Sequence, residues 1–367
     1  MKILLFGEYS NVHWTLAEGL RTLGHEVTVV SNGDFWKDYP RDIDLTRKPT
    51  RLGGLAYIAR LLRIMPSLRG YDIVQIINPM FVELKARWIK PIYNYLRRNN
   101  KCMVMCAFGM DYYWVSTCCD AKTFRYSDFN MGSRLRTNAD AMKERADWLS
   151  TTKERVNRHI AHDCDAIVAG LYEYWRCYEP HFPDKTLFIP FPIKCSNTPI
   201  RSGRTDSRIR LFIGINRKRS EYKGTDIMLR AAQDIEKRYC DRVQLIVAES
   251  VPFSTYCEMM EGSDAILDQL YSYTPAMNSL QAMSRGIINI GGGEEENYEI
   301  IGETTLRPII NVRPTYDSVY EALQRLVTHP EDIATLRQQS MEYIKKHHDY
   351  IKVAKSYEAL YAKLLQR

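Results

Sequence analysis

Short apolar runs, rich in β-branched residues, alternate with helical periodicity along the whole chain. The runs predict strands at 2–6, 26–31, 72–77, 103–108, 166–169 and 187–189, then at 209–215, 244–248, 265–267, 287–290 and 308–312. Apolar positions three and four apart predict helices at 12–23, 52–65, 81–98 and 151–162. The second half predicts them at 225–239, 252–260, 275–285, 316–327 and 331–347. Strands that are apolar throughout, rather than alternating, belong to parallel sheets covered on both faces. The alternation is interrupted from Pro190 to Ser207, a stretch of Pro, Ser, Thr and Arg without periodicity. The expectation is α/β: two doubly wound, Rossmann-like domains, 1–190 and 208–347, joined by a 191–207 linker. An amphipathic helix over 348–367 follows, with Tyr350, Val353, Tyr357, Leu360, Tyr361 and Leu364 at helical spacing. Residues 109–150 read as an ordered excursion over the cleft, too aromatic for a disordered linker.

Composition bounds this picture without changing it. At 367 residues the chain suits two domains, and 45% hydrophobic with 26% charged residues is a soluble globular balance. No apolar run approaches the ~20 residues of a bilayer span, and the first strand lacks the features of a signal peptide. Nine scattered cysteines without a Cys-x-x-Cys fit core and loop thiols in a reducing cytoplasm. Charge does change the picture. Residues 1–195 hold 28 Lys and Arg against 21 Asp and Glu, whereas residues 196–367 hold 23 of each. Between Arg47 and Lys101 there are twelve basic residues and two acids, Asp72 and Glu83. An anionic partner is expected for the first half, with peripheral contact to an anionic membrane foremost. In that reading the Leu and Ile of 52–65 pack inward, and Arg60, Arg63, Arg97 and Arg98 make the contact. Nucleic acid is disfavoured because aromatics do not interleave with the basic run.

Candidate chemistry sits at strand ends. Gly214-Ile-Asn-Arg217 and Tyr222-Lys223-Gly224 form a basic loop between a strand and a helix. Arg217 offers a planar fork, Lys223 a point charge, and the helix start free N–H groups, so the loop suits a diphosphate; a plain basic surface loop is the alternative. Pro275 begins a second helix whose Ala276, Met277 and Asn278 would present N–H groups, with Gln281 one turn on. Gly291-Gly-Gly-Glu294 allows close backbone approach to a ligand, and one of Glu294, Glu295 and Glu296 would face the cleft. In the first half, Asn11 and His13 follow the first strand, and Asp111 follows Gly109. They are candidate contacts to an acceptor or sugar; the alternatives are a helix cap, a surface histidine and a turn aspartate. The first loop is not Gly-x-Gly-x-x-Gly, which argues against a dinucleotide cofactor.

With these residues in view, the chain resembles the retaining, nucleotide-sugar-dependent glycosyltransferases of the family 4 type, which have the two-domain GT-B fold. The resemblance runs through the opening strand and its glycine-ended loop, Gly24-His25-Glu26-Val27, Gly109-Met-Asp111, Asp165-Ala-Ile-Val168, the Gly214–Gly224 loop, and Met283 with Gly286. It implies that Arg217 and Lys223 hold the donor diphosphate, with Gly214, Asn216, Ala276, Met277 and Asn278 around it. It also implies that the last helix crosses back onto the first domain. The family's Glu-x7-Glu positions are Tyr273 and Gln281 here. Gln281 can still hydrogen-bond a ribose hydroxyl; Tyr273 is a poorer sugar contact, and Glu294 is the candidate replacement. Asn78 stands where many relatives place a histidine.

The implied reaction transfers a sugar, with retention, from a nucleotide diphosphate sugar to a glycan or lipid-linked acceptor in polysaccharide or glycolipid assembly. Arg217 and Lys223 would stabilise the leaving diphosphate, Asp111 would be the third catalytic residue, contacting a sugar hydroxyl or the acceptor, Asn11, His13 and Asn78 would stand on the acceptor side, and neither a metal nor a cofactor is expected. The competing readings are a non-catalytic nucleotide- or glycan-binding subunit and a nucleotide-sugar epimerase.

Overall fold

The computed structural model describes residues 1–50, 52–195 and 207–366. Nine described strands precede the linker: β1 (Lys2–Phe6), β2 (Glu26–Ser31), β3 (Ile43–Asp44), β4 (Ile73–Ile76), β5 (Cys102–Ala107), β6 (Asn130–Met131), β7 (Arg134–Leu135), β8 (Ala166–Ala169) and β9 (Thr186–Phe188). The pair β6–β7 is an isolated hairpin. The other seven form a parallel sheet in the order β3-β2-β1-β4-β5-β8-β9. After the linker, β10 (Ile209–Ile215), β11 (Val243–Glu249), β12 (Ala265–Leu267), β13 (Ile288–Gly291) and β14 (Ile310–Asn311) form a second parallel sheet, β11-β10-β12-β13-β14. The apolar runs form these strands because both faces are buried under helices: Ile3, Leu4, Leu5, Ile73, Val74, Met103 and Val104 are fully inaccessible.

The topology places the site. In each sheet the chain leaves a central strand to one side and later returns to the other, between β1 and β4 and between β10 and β12. Register keeps the strand ends level: Phe6 pairs with both Val30 and Ile76, and Ile76 with Met105. In open α/β sheets the ligand crevice lies beyond the carboxyl ends at such a switch point. The loops after β1, β4, β10 and β12 therefore frame it.

The helix Tyr350–Leu365 packs on the first sheet, as the resemblance implied. Tyr357, Leu360, Tyr361 and Leu364 are buried, and Tyr361 Oη donates to Gln75 Oε1 at 2.7 Å. The chain crosses between the sheets twice, and the crossings pair. Ile193 N donates to His348 O and Tyr350 N to Ile193 O, while His348 Nδ1 lies 2.9 Å from Phe191 O. Burial lowers the His348 pKa to about 4, so this histidine is neutral and Nδ1–H is the donor. Of the expected 191–207 linker, residues 196–206 lie outside the described residues.

Most helices fall where periodicity placed them. The helix expected at 81–98 begins only at Ala86, because Phe81 turns inward to pack edge-on against Phe6 with centroids 5.0 Å apart. The excursion 109–150 is two helices, Tyr112–Cys118 and Ala139–Trp148, flanking the hairpin. Aromatics at successive positions gave no clear period there.

Candidate functional site

On the second-sheet side, Lys223 ends a short helical turn, and Gly224 continues the chain in a left-handed conformation, φ 74°. Only glycine fits: a Cβ at 224 would meet Leu270 Cβ at 2.6 Å. Lys223 O in turn accepts from Leu270 N, tying the loop to the end of β12. The Lys223 side chain is half-buried and makes neither an ion pair nor a hydrogen bond among the described residues. Burial lowers its pKa; Asp268 and Asp128 oppose that shift from nearby, while Arg219 and Lys37 add to it. An ammonium desolvated beside other cations, without an ion-pair partner, is a strong anion receptor.

Beside it, Asp268 holds the start of the helix Met277–Ser284. Its carboxylate accepts from Asn278 Nδ2 at 3.0 Å and Ser279 Oγ at 2.7 Å. Tyr256 Oη donates to Asn278 Oδ1 at 3.1 Å. The Tyr256 ring occupies the space that a side chain at Gly214 would take. Asn278 is thus held from two sides. The cap residue Ala276 supplies no side-chain acceptor, so the N–H groups of Met277 and Asn278 stay uncapped. The Gln281 amide makes no hydrogen bond among the described residues. Asn216 Oδ1 accepts from Lys218 N and caps a short turn. Arg217 is exposed and forms a two-pronged pair with Glu249. Of the two expected clamp cations, Lys223 lies within the site and Arg217 is held at its rim.

On the first-sheet side, the loop after β1 is strained: Ser10 and Asn11 have φ 53° and 68°. Asn11 Oδ1 is buried without a partner among the described residues. His13 does not face the cleft. It is fully buried, with Nδ1 2.7 Å from Gly7 O and Nε2 3.1 Å from Gln75 Nε2. Burial lowers its pKa to about 3, so it is neutral, donating to Gly7 and accepting from Gln75. Asp111 caps the helix Tyr112–Cys118: Oδ1 accepts from Trp114 N and Oδ2 from Tyr178 Oη. Asn78 Nδ2 donates to Phe108 O and Met110 O, bracing the loop before Asp111. All three are buried and spend their polar atoms on internal bonds that fix the loops after β1, β4 and β5.

The excursion closes the crevice on one side by gripping the second sheet. Arg125 reaches Glu296 at 2.5 Å and Glu294 at 3.0 Å and lies 4.7 Å over the Tyr273 ring. Tyr126 Oη donates to Glu294, and Arg125 N donates to Tyr273 Oη. The Tyr273 ring is buried against Phe124, Tyr126 and Tyr172. Arg136 donates to the carbonyls of Glu221 and Tyr222 and stacks 3.5 Å over Tyr271. Glu173, buried after β8, accepts from Tyr273 N, Thr274 N and Thr274 Oγ1. Tyr273 and Glu294 are therefore engaged in the contact between the two halves. A Cβ at Gly292 would collide with Ser272 O, so that glycine lets the backbone approach its own neighbouring loop. On the opposite side, Trp36 and Tyr39 meet Phe253 edge-on at 5.8 and 5.5 Å.

Sequence reasoning passed over Glu8, Lys37, Asp268, Glu173 and Arg125. Asp268 and Glu8 each follow a predicted strand and could have been found by the rule that exposed the others. Glu173 and Arg125 act on residues 100 or more positions away, which no local pattern reveals. Two Asp-x-Asp runs exist, but neither belongs to the diphosphate loop. Asp42 and Asp44 bind Arg21 and Arg41, and Asp163 and Asp165 bind Arg97 at the far end of β8.

Glu8 makes a test. Its carboxyl accepts from His13 N and Trp14 N, yet burial, aided by Asp34, raises its pKa to about 8. The folded state therefore holds a proton that the unfolded chain releases near pH 4.5. That stabilising difference is full below about pH 4.5 and is lost as pH rises towards 8. Glu8→Gln should raise the melting temperature relative to wild type above pH 8, with the gain shrinking towards pH 5. A pH-independent difference would contradict this.

No family model and no curated protein sequence matches the chain. Solved structures do. Sucrose-phosphate synthase from Thermosynechococcus elongatus aligns over 100% of both chains at 13% identity, TM-score 0.64. The catalytic domain of starch synthase IV from Arabidopsis thaliana, bound to ADP and acarbose, aligns over 100% of both at 10% identity, TM-score 0.62. Anabaena HepE in complex with UDP aligns over 99% of this chain and 100% of its own at 12% identity, TM-score 0.61. At such identities the likeness concerns architecture, and the architecture is GT-B.

Proposed function

We propose that the chain is a nucleotide-sugar-dependent glycosyltransferase that moves a hexosyl group to an acceptor hydroxyl. The observation that carries this reading is Lys223: a half-buried ammonium without an ion-pair partner, beside an uncapped helix start, at the switch point of the second sheet. That combination suits a nucleoside diphosphate. The UDP and ADP complexes of HepE and starch synthase IV support it by analogy of fold.

In this reading the donor diphosphate lies against Lys223 and the N–H groups of Met277 and Asn278, and Gln281 meets the ribose. As the glycosidic bond breaks, negative charge grows on the leaving phosphate, and these fixed dipoles and Lys223 stabilise it. Arg217 joins when a phosphate competes with Glu249 for its guanidinium. The contacts of Arg125, Glu173 and Trp36 keep the halves together and limit water in the crevice. Retention follows the family resemblance, as does a role in polysaccharide or glycolipid assembly in the cytoplasm. The cationic diphosphate site supports a metal-independent step. Turnover should persist in EDTA; loss on chelation with recovery in Mg2+ or Mn2+ would contradict that.

A further inference from the structure

The helix Gly53–Ile64 carries two apolar faces, and only one of them is used. Gly53, Tyr57 and Leu61 are buried on the first sheet, and Tyr57 Oη accepts from Glu83 N. Leu55, Ile58 and Leu62, with Leu52 just before the helix, fall at spacings of three and four on the outward side. Their exposures are 66%, 40%, 66% and 72%. The expectation that the Leu and Ile of this segment pack inward is thus corrected in part: Leu61 is buried and Ile64 packs against the core, whereas Leu52, Leu55, Ile58 and Leu62 face outward. A helix apolar almost all round can bury just one arc against one sheet. A contiguous outward apolar stripe marks a contact surface.

Charge identifies the partner. Arg47, Lys48 and Arg63 are exposed around this stripe and make no ion pair among the described residues. The helix Ala86–Asn99 is adjacent, linked by Tyr95 Oη donating to Met65 O at 2.9 Å. It presents exposed Arg87, Lys90 and Arg98, also without ion pairs among the described residues, and Trp88 at 53% exposure. The region's two acids are occupied: Asp72 by Lys101 and Glu83 by Asn32. Two of the four arginines expected to make a membrane contact are occupied as well, Arg97 by Asp165 and Arg60 by Asp44. An apolar stripe edged by unpaired cations and an interfacial tryptophan matches the interface of an anionic bilayer.

We propose that the helix Gly53–Ile64 docks on an anionic lipid surface, seating Leu52, Leu55, Ile58 and Leu62 among the acyl chains while Arg63, Arg87, Lys90 and Arg98 meet the phosphates. Among the described residues no helix is long and apolar enough to cross a bilayer, so this contact is peripheral. The proposal is independent of the reaction, since it is read without nucleotide. The full chain should co-sediment with vesicles of phosphatidylcholine and phosphatidylglycerol, and less in high salt, which screens exposed charge. Leu55→Ser with Leu62→Ser should lower vesicle partitioning about 10-fold or more at unchanged melting temperature, because the replaced side chains touch no core. Arg63→Glu with Lys90→Glu should remove the preference for phosphatidylglycerol. Equal binding to neutral and anionic vesicles, or undiminished binding by the leucine variant, would overturn the proposal. A self-associating chain that the leucine variant renders monomeric, without vesicle binding, would assign the stripe to a second copy instead.

Discussion

Lys223→Ala should weaken nucleoside diphosphate binding about 10- to 150-fold, the ~1.5–3 kcal/mol of a charge-assisted contact. Among the described residues, no other in the site combines partial burial, positive charge and a lack of partners. The ammonium is held near Asp268 and Asp128 at no pairing distance, so its removal leaves phosphate charge facing helix N–H groups and an Arg217 already held by Glu249. The same burial makes binding pH-dependent. Because the Lys223 pKa is lowered from 10.5, diphosphate affinity should fall with rising pH at a lower pH than an exposed lysine would give. In the alanine variant that alkaline fall should disappear. Arg217→Ala should cost less, because Glu249 already neutralises that guanidinium. Calorimetry with UDP, GDP and ADP across pH reads all three effects. Equal affinity of wild type and Lys223→Ala for the preferred nucleotide would remove the diphosphate assignment.

The second large effect is expected at Glu173. Its carboxylate is the common acceptor for Tyr273 N, Thr274 N and Thr274 Oγ1, and burial raises its pKa. Glu173→Ala leaves three donors buried without an acceptor, a cost of about 3 kcal/mol or more. The loss falls on the contact between the two halves, so it should appear as a lower melting temperature and a larger radius of gyration. Nucleotide affinity should be nearly retained, because Lys223 and Asp268 belong to the second sheet. Turnover should fall, because the acceptor side is no longer held in place. Unchanged melting and shape would show that the remaining contacts, those of Arg125, Arg136 and Trp36 among them, hold the halves without Glu173.

The fold was largely legible. Apolar runs and helical spacing located most strands and the longer helices, because parallel strands buried on both faces leave an unambiguous pattern. The loop carrying Lys223 was legible for the same reason: it follows β10 and precedes a helix, and that order places it at a crevice. Asp111 and His13 follow the ends of β5 and β1 as expected, but the sequence could not tell a cleft-facing group from a cap or a buried histidine. That choice depends on Tyr178 and Gln75, which lie more than sixty residues away from them. Tyr273 was placed near the donor by position alone, and Arg125 and Tyr126, nearly 150 residues earlier, draw it into the interdomain contact. The helix Gly53–Ile64 shows the converse limit: periodicity reveals an apolar arc, but not which of two arcs the sheet will cover.

The most direct test of the account is product analysis. The purified chain would be incubated with nucleotide sugars labelled in the sugar, with and without glycan or lipid-linked acceptors. The account predicts a labelled glycoside with retained anomeric configuration, together with a free nucleoside diphosphate, formed in EDTA and sharply reduced in Lys223→Ala. An isomerised nucleotide sugar with no acceptor product would contradict it in favour of epimerisation, and nucleotide binding without any turned-over sugar would contradict it in favour of a binding subunit.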